Sequence, residues 1–330
     1  MEPVATESTG DDDGLRCDVS IVVPAYNECE SLPHLQVALV NALDALGKSW
    51  EIIYCDDGST DESYEVMVSF TVDEPRVRVI RFRRNFGQTA AMSAGFDHAR
   101  GDVIIPIDAD LQNDPEDIGR LLERIDAGYD VASGWRVRRR DAMLSVTLPS
   151  RVGNWIIGGV TGVKLHDYGC TLTAYRREII QSFRLYGEMH RFLPAWAASV
   201  GASICEVEVN HHARKWGTSK YSVAKAWRVL LDLMTVRFLI AYSTKPLYFF
   251  GRLGWRFMLG AGAAWTWTII KKVQWGQPLY TDPFFLIGVF FALAGLQIVL
   301  IGLLAELNMR TYYESQDKRI YTIRNGINLE

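Results

Sequence analysis

The chain has 330 residues, enough for one large domain and a further element, and its net charge of −4 with mixed signs excludes a general nucleic-acid binder. Hydrophobic residues make up 48%, with the long apolar runs gathered in the last third. Five scattered cysteines (Cys17, Cys29, Cys55, Cys170 and Cys205), none in a CxxC, exclude a zinc cluster or disulfide framework and fit reduced packing thiols.

Residues 1–17 are acidic and polar, without the apolar core of a signal peptide, and are expected to be disordered. Val19–Val23 reads as a buried strand. Ser31 then opens a helix whose Leu32, Leu35, Leu39, Leu43 and Leu46 form an apolar stripe. Further strands are expected at Glu51–Cys55, Val77–Phe82, Val103–Ile107 and near Tyr129–Ser133, alternating with helices. Continuously apolar strands in that alternation predict an α/β domain with a mostly parallel, Rossmann-like sheet covered on both faces. Ligands of such sheets bind beyond the carboxyl ends of the strands, where "PAYNE", "DDGS" and "DAD" stand. Neither GxGxxG after the first strand nor GxxxxGK[ST] occurs, which excludes a typical dehydrogenase or P-loop enzyme.

From Val223 the composition changes. Residues 223–245 read as amphipathic helices on a bilayer surface, with Lys225, Arg228 and Arg237 among large apolar residues. Pro283–Ala305 carries no charge over 23 residues, long enough to span a bilayer. A weaker stretch at about 253–271 contains Arg256, which could snorkel. Together they predict a two-helix transmembrane hairpin within 246–309, followed by a cytoplasmic tail, 310–330. Lys245, Arg252 and Arg256 precede the pair and Arg310, Lys318, Arg319 and Arg324 follow it. The positive-inside rule then gives a multi-pass inner-membrane protein with both termini and the α/β domain, 18–222, in the cytoplasm.

The run "GDVIIPIDADLQNDPEDI" ends a buried strand in acid. Asp108, Asp110 and Gln112 offer only oxygen, which suits Mg²⁺ or Mn²⁺. Asp114 before Pro115 reads instead as a helix N-cap.

The motifs "VVPAYNE", "DDGSTDES", "RRNFGQTAAMSAG", "DADLQNDPE", "DYGCTLTAYRR" and "RKWGTSKYS" occur in the order found in family-2 glycosyltransferases of the GT-A fold. More narrowly, the chain resembles polyprenyl-phosphate glycosyltransferases such as dolichol-phosphate mannose synthases, polyprenyl-phosphate glucosyltransferases and undecaprenyl-phosphate formamidoarabinose transferases, from about Asp18 to Arg310. The resemblance implies a nucleotide-diphosphate-sugar donor, a polyprenyl-phosphate acceptor at a lipid bilayer, inversion at the anomeric carbon, and a homotetramer. It places Pro24, Ala25, Tyr26, Glu28, Asp57, Asp108 and Ala109 around the donor nucleotide. Asp108, Asp110 and Gln112 would hold the metal, with Asp110 and Asp167 catalytic. Glu28 also reads as a first-turn helix acid, and Asp167 either takes a residual proton or orients arginines. Arg136, Arg151, Arg214 and Lys220 are the expected acceptor-phosphate cations. Arg138, Arg139 and Arg140 read as general lipid contacts, and His211 and His212 as structural.

A UDP-sugar is the favoured donor, with GDP-mannose as the alternative. A processive synthase lacks its QxxRW motif here. A non-catalytic membrane-anchored nucleotide-sugar scaffold would have no need of Asp108, Asp110, Gln112 and Asp167 together.

Overall fold

The computed structural model describes residues 16–137, 158, 163, 165–182, 185, 189–212, 246–276, 278, 282–315 and 323–328. The chain divides into two units, Met1–Leu233 with Arg319–Glu330, and Met234–Lys318.

The first unit is built on an eight-stranded sheet. Its strands are β1 (Cys17–Ala25), β2 (Trp50–Asp56), β3 (Val77–Phe82), β4 (Gly101–Pro106), β5 (Val131–Trp135), β6 (Thr173–Arg176), β7 (Ile204–Glu208) and β8 (Ile323–Ile327). Their order is β7-β5-β6-β4-β1-β2-β3-β8. The centre is parallel: β1 pairs with β2 and β4, and β2 with β3. Strand β6 runs antiparallel between β4 and β5, and β8 antiparallel on the outer edge of β3. The α/β, mostly parallel expectation therefore holds, while the edge strand from the chain's end had no sign in the sequence pattern.

Helices cover both faces of this sheet. On one, α1 (Leu32–Ala45) buries Leu32, Leu35, Leu39 and Leu43, as their spacing predicts, and α4 (Ile118–Asp126) buries Ile118, Leu121, Leu122 and Ile125 beside them. On the other lies α3 (Gln88–His98), rich in alanine, where a Cβ at Gly95 would collide with Val22. Its small residues let this helix press close on β1, so its first turn arrives beside the strand ends. Among the described residues, the first unit also has α2 (Ser63–Asp73), α5 (Arg177–Gln181) and α6 (Leu193–Ser199). Asp114 caps as predicted, its Oδ1 accepting from Glu116 N (3.1 Å) at the 3₁₀ turn that leads into α4.

The second unit holds α7 (Pro246–Trp275) and α8 (Pro283–Ser315), packed lengthwise. Small residues make the contact close: Gly254 meets Val299 and Gly295, and Gly260 meets Phe291.

The multi-pass expectation is corrected here. Among the described residues only Pro283–Ala305, within α8, is long and apolar enough to cross a membrane. Helix α7 has the length but not the composition. Arg256, four tryptophans and several glycines and threonines dilute its hydropathy, and Lys271 and Lys272, expected in a loop between spans, belong to its last turns. The orientation inferred from two spans falls with them. The proposed amphipathic segment 223–245 lies outside the described residues.

Candidate active site

A cleft of about 340 Å³ opens at the carboxyl ends of the central strands. The end of β1 contributes Pro24 and Ala25 and the loop after it Tyr26 and Glu28; the turn after β2 contributes Asp57, and the segment after β4 Asp108, Ala109 and Asp110. Asn85 and Gly87 from the β3–α3 connection and Gln88 and Ala91 from the first turn of α3 close the remaining side. All seven residues expected around the donor thus stand in one cleft. Of the three expected metal ligands, Asp108 and Asp110 line it and Gln112 does not.

The loops that build this cleft are tied to each other. Asn27, at φ 56°, accepts from Thr60 N through Oδ1 (2.9 Å), and its own N–H donates to Ser59 Oγ (3.0 Å). Gly58 adopts φ 72°, and a Cβ there would stand 2.6 Å from the Arg84 carbonyl carbon. Only glycine lets the "DDGS" turn lie so close to the loop that carries Asn85 and Gly87. Asp57 fixes the same loop: its Oδ1 accepts from Phe86 N (2.7 Å) and Oδ2 from Gly87 N (2.9 Å). Burial raises the Asp57 carboxyl above its ordinary value, against the lowering pull of those two N–H groups. Glu28 Oε2 accepts from Ser31 Oγ (3.1 Å), so its carboxylate serves the entry to α1 while lining the cleft.

At the end of β4, Asp108 is held from both sides. Gln88 Nε2 donates to its Oδ1 (2.8 Å) and Thr171 Oγ1 to its Oδ2 (2.6 Å). Asp110 is buried and its Oδ1 accepts from Gln112 N (3.1 Å). Leu111 between them takes φ 57°, a left-handed conformation that costs a side-chain-bearing residue about 1–2 kcal/mol. Strain of this kind is tolerated where the surroundings impose it, commonly at functional sites. Gln112 works here through its backbone, its carbonyl accepting from His212 N (2.9 Å).

Beyond β5, Arg136 and Asp167 form a side-on pair, Nε to Oδ2 at 2.7 Å and Nη2 to Oδ1 at 3.0 Å. Gly169 N also donates to Asp167 Oδ1 (3.0 Å). Burial acts to lower the guanidinium pKa, and the Asp167 partner outweighs it, so the net shift is upward. Of the two roles the sequence left open for Asp167, the pair has the geometry of the second, a carboxylate that orients an arginine. Arg151, Arg214, Lys220 and Arg138 to Arg140 lie outside the described residues.

His211 bridges to Asn113, and His212 Nε2 sits 3.0 Å from Asp114 Oδ2, in keeping with structural roles. Burial pushes the Cys170 thiol up to about 12, which keeps it protonated and unreactive beside the site. Gln88, Asn85 and Thr171 were missed as site residues. They sit in "RRNFGQTAAMSAG" and "DYGCTLTAYRR", but nothing in their spacing marks them, because Asn85 and Thr171 reach the site through loops and Gln88 through the start of α3.

Known proteins match this architecture. The model of the family "Glycosyl transferase family 2" matches residues 20–184. A dodecaprenyl-phosphate galacturonate synthase of Rhizobium johnstonii is 42% identical over 93% of this chain and 92% of its own. An undecaprenyl-phosphate 4-deoxy-4-formamido-L-arabinose transferase of Salmonella typhimurium is 37% identical over 94% of this chain and 93% of its own. Among solved structures, glucosyl-3-phosphoglycerate synthase from Mycobacterium tuberculosis, in complex with Mn²⁺, uridine diphosphate and phosphoglyceric acid, shares the fold. It aligns with a TM-score of 0.53 at 18% identity, over 68% of this chain and 80% of that one. With a family model matching residues 20–184, from β1 through β6, and relatives alike along nearly the whole length, the chain belongs to glycosyl transferase family 2.

Proposed function

We propose that this enzyme moves one sugar from a nucleotide-diphosphate sugar to a polyprenyl phosphate, making a lipid-linked sugar for envelope glycan synthesis. It is a membrane-associated, inverting glycosyltransferase. The observation that carries the acceptor is the near full-length likeness to two enzymes whose names both specify a polyprenyl phosphate.

The cleft supports the donor role. Tyr26 offers an exposed aromatic face at its wall, suited to a nucleobase. Asp57, with one backbone N–H on each oxygen, keeps an acceptor position on each for a donor of the base or ribose, and the resemblance to bacterial members favours a uridine diphosphate sugar. Asp108 and Asp110 present oxygen alone, and among the described residues no three His, Cys, Asp or Glu gather into a metal cage. That donor set fits Mg²⁺ or Mn²⁺ whose other positions fall to diphosphate oxygens and water, with Gln112 next to the pair as a third proposed ligand. When bound, the cation neutralises charge on the departing nucleoside diphosphate.

The acceptor phosphate has its second pKa at about 6, so near neutrality its oxygen attacks without a strong base. A phosphate oxygen forms the bond to the anomeric carbon as the bond to the donor's β-phosphate oxygen breaks, the electron pair leaving with the diphosphate. Because both Asp167 oxygens are engaged by Arg136, we assign Asp167 to orienting that arginine towards the acceptor phosphate. Arg151, Arg214 and Lys220 complete the proposed cationic set. The homotetramer rests on the family resemblance alone, and the solution mass of the detergent-solubilised protein tests it.

The full reading is tested by incubating the solubilised chain with undecaprenyl phosphate, Mn²⁺ and radiolabelled UDP- or GDP-sugars. Label in a lipid extract from a UDP-sugar is expected. A water-insoluble polymer, or no lipid product from any donor, overturns the assignment.

A further inference from the structure

We propose that Thr171 is a positioning residue for the donor side of the site: its hydroxyl, opposite the Gln88 amide, holds the Asp108 carboxylate in the orientation that receives the metal–diphosphate group. The inference rests on the reading of Asp108 as a metal-facing carboxylate.

Three observations meet at Thr171. Its Oγ1 lies 2.6 Å from Asp108 Oδ2, while Gln88 Nε2 occupies Oδ1 at 2.8 Å. A carboxylate held through both oxygens has lost the freedom to turn about its terminal bond, and a carboxylate oxygen has two acceptor positions, so a hydrogen bond at one is compatible with a cation at the other. Second, the sheet dictates the contact. Strands β4 and β6 pair antiparallel with Val103 opposite Arg176 and Ile104 opposite Tyr175. Continuing that register past the end of the ladder places Thr171 opposite Asp108. The contact therefore falls in line with the β4–β6 register, four residues past its last paired position, Ile104 with Tyr175.

Third, Thr171 ends the turn that begins at Asp167. At its start that turn clasps Arg136, and at its end it clasps Asp108. Its backbone is fixed against β5, Gly134 N donating to Leu172 O (3.0 Å), where a Cβ on Gly134 would stand 2.5 Å from that oxygen. One short turn thus sets the spacing between the acceptor-side cation and the donor-side carboxylate. A β-branched residue suits the task, because its χ1 is stiff.

The experiment measures UDP binding to the solubilised full chain by calorimetry, with Mn²⁺ and with EDTA. Thr171→Val keeps the shape and removes the donor. It is expected to weaken Mn²⁺-dependent UDP binding about tenfold, the lower range for loss of a partner that orients a metal ligand. UDP binding in EDTA and the melting temperature should stay as in the wild type, and Thr171→Ser should restore the Mn²⁺-dependent affinity. Thr171→Ala serves the same comparison if the valine variant does not fold. Wild-type affinity in the hydroxyl-free variant, with Mn²⁺ dependence intact, overturns this inference alone. An equal loss in EDTA also overturns it, since the defect would then be general. A wild type whose UDP binding ignores Mn²⁺ overturns the metal reading and this inference together.

Discussion

Glu51 and Asp108, at opposite ends of the central sheet, are held in opposite ways. At the amino ends, Glu51 of β2 is buried and saturated: Ser20 Oγ and Arg100 N donate to Oε1, both at 2.6 Å, and Arg78 Nη1 pairs with Oε2 at 2.7 Å. Both side chains of this pair are almost wholly hidden, 4% and 7% exposed. At the carboxyl ends, Asp57 is held by two backbone N–H groups and Asp108 by an amide and a hydroxyl, all beside a cleft. A carboxylate matched by a buried guanidinium fastens strands together. One oriented by an amide and a hydroxyl, or by two backbone N–H groups, at a cleft is aimed at what enters there. Exposure and partner type separate the two roles where residue type alone does not.

The largest effect that can break this contrast is on stability. Arg78→Met should cost about 3–5 kcal/mol, because it leaves Glu51 buried without its countercharge. Denaturant titration of the solubilised chain measures the loss, and turnover per folded molecule should be unchanged. A loss below about 1 kcal/mol, the range of an exposed pair, would show the amino-end pair to be no fastener. At the other end the expected signature is reversed. Asp110→Asn should lower transfer by about 10²-fold, as when an electrostatic group is removed from an active site, with melting nearly as in the wild type. Near-normal turnover of the purified variant would remove Asp110 from the chemistry.

A third change probes the edge that the sequence did not foretell. Arg78 Nε donates to Asn328 O (2.9 Å), and Asn328 Nδ2 to Val77 O (3.1 Å), pinning β8 beside β3. Deleting residues 323–330 removes both bonds and should cost about 1–3 kcal/mol, at roughly 1 kcal/mol for each net hydrogen bond and more for a buried charged donor left without its acceptor. Donor binding, measured by calorimetry with UDP, should persist, because the cleft lies at the carboxyl ends of the strands. Lost UDP affinity in a folded truncation would tie the edge strand to the site.

The sequence made the central strands legible because each is a continuous apolar run closed by turn residues, and α1 because its leucines repeat at helical spacing. Asp114 was legible as a cap because Asp-Pro followed by acids is a local signal. What escaped was non-local. Strand β8 carries no alternation and is paired only because β3 offers an open edge. Gln88 and Thr171 are ordinary polar residues until the α3 start and the β4–β6 register bring them to Asp108. The pairing of Arg136 with Asp167 joins positions 31 residues apart. Helix α7 misled because its length suggested a span that Arg256, Lys271, Lys272 and its tryptophans do not support.

The smallest effect is a difference in slope with pH. Asp130, just before β5, has its carboxyl lowered, chiefly by the Ser203 backbone N–H and hydroxyl, and Asp18 in β1 is lowered by Ser49 in the same way. Asp56 and Asp57, at the carboxyl end of β2, are raised, chiefly by burial. The signs follow from proton linkage. A lowered carboxyl holds its proton less tightly folded than unfolded. Its stability is present above the ordinary carboxylate range and is lost as pH falls through the lowered value. A raised carboxyl binds its proton more tightly when folded. Its stability is present below the ordinary value and is lost as pH rises through the raised one. Melting of wild type and variants from about pH 3 to about pH 6, the span of perturbed carboxylates, should therefore give opposite trends. The wild-type advantage over Asp130→Asn should grow as pH rises, and that over Asp57→Asn should shrink. Any fixed offset from exchanging a carboxylate for an amide leaves both slopes intact. Parallel slopes would mean that the two ends of the sheet do not differ in how they hold protons, and the contrast would then rest on geometry alone.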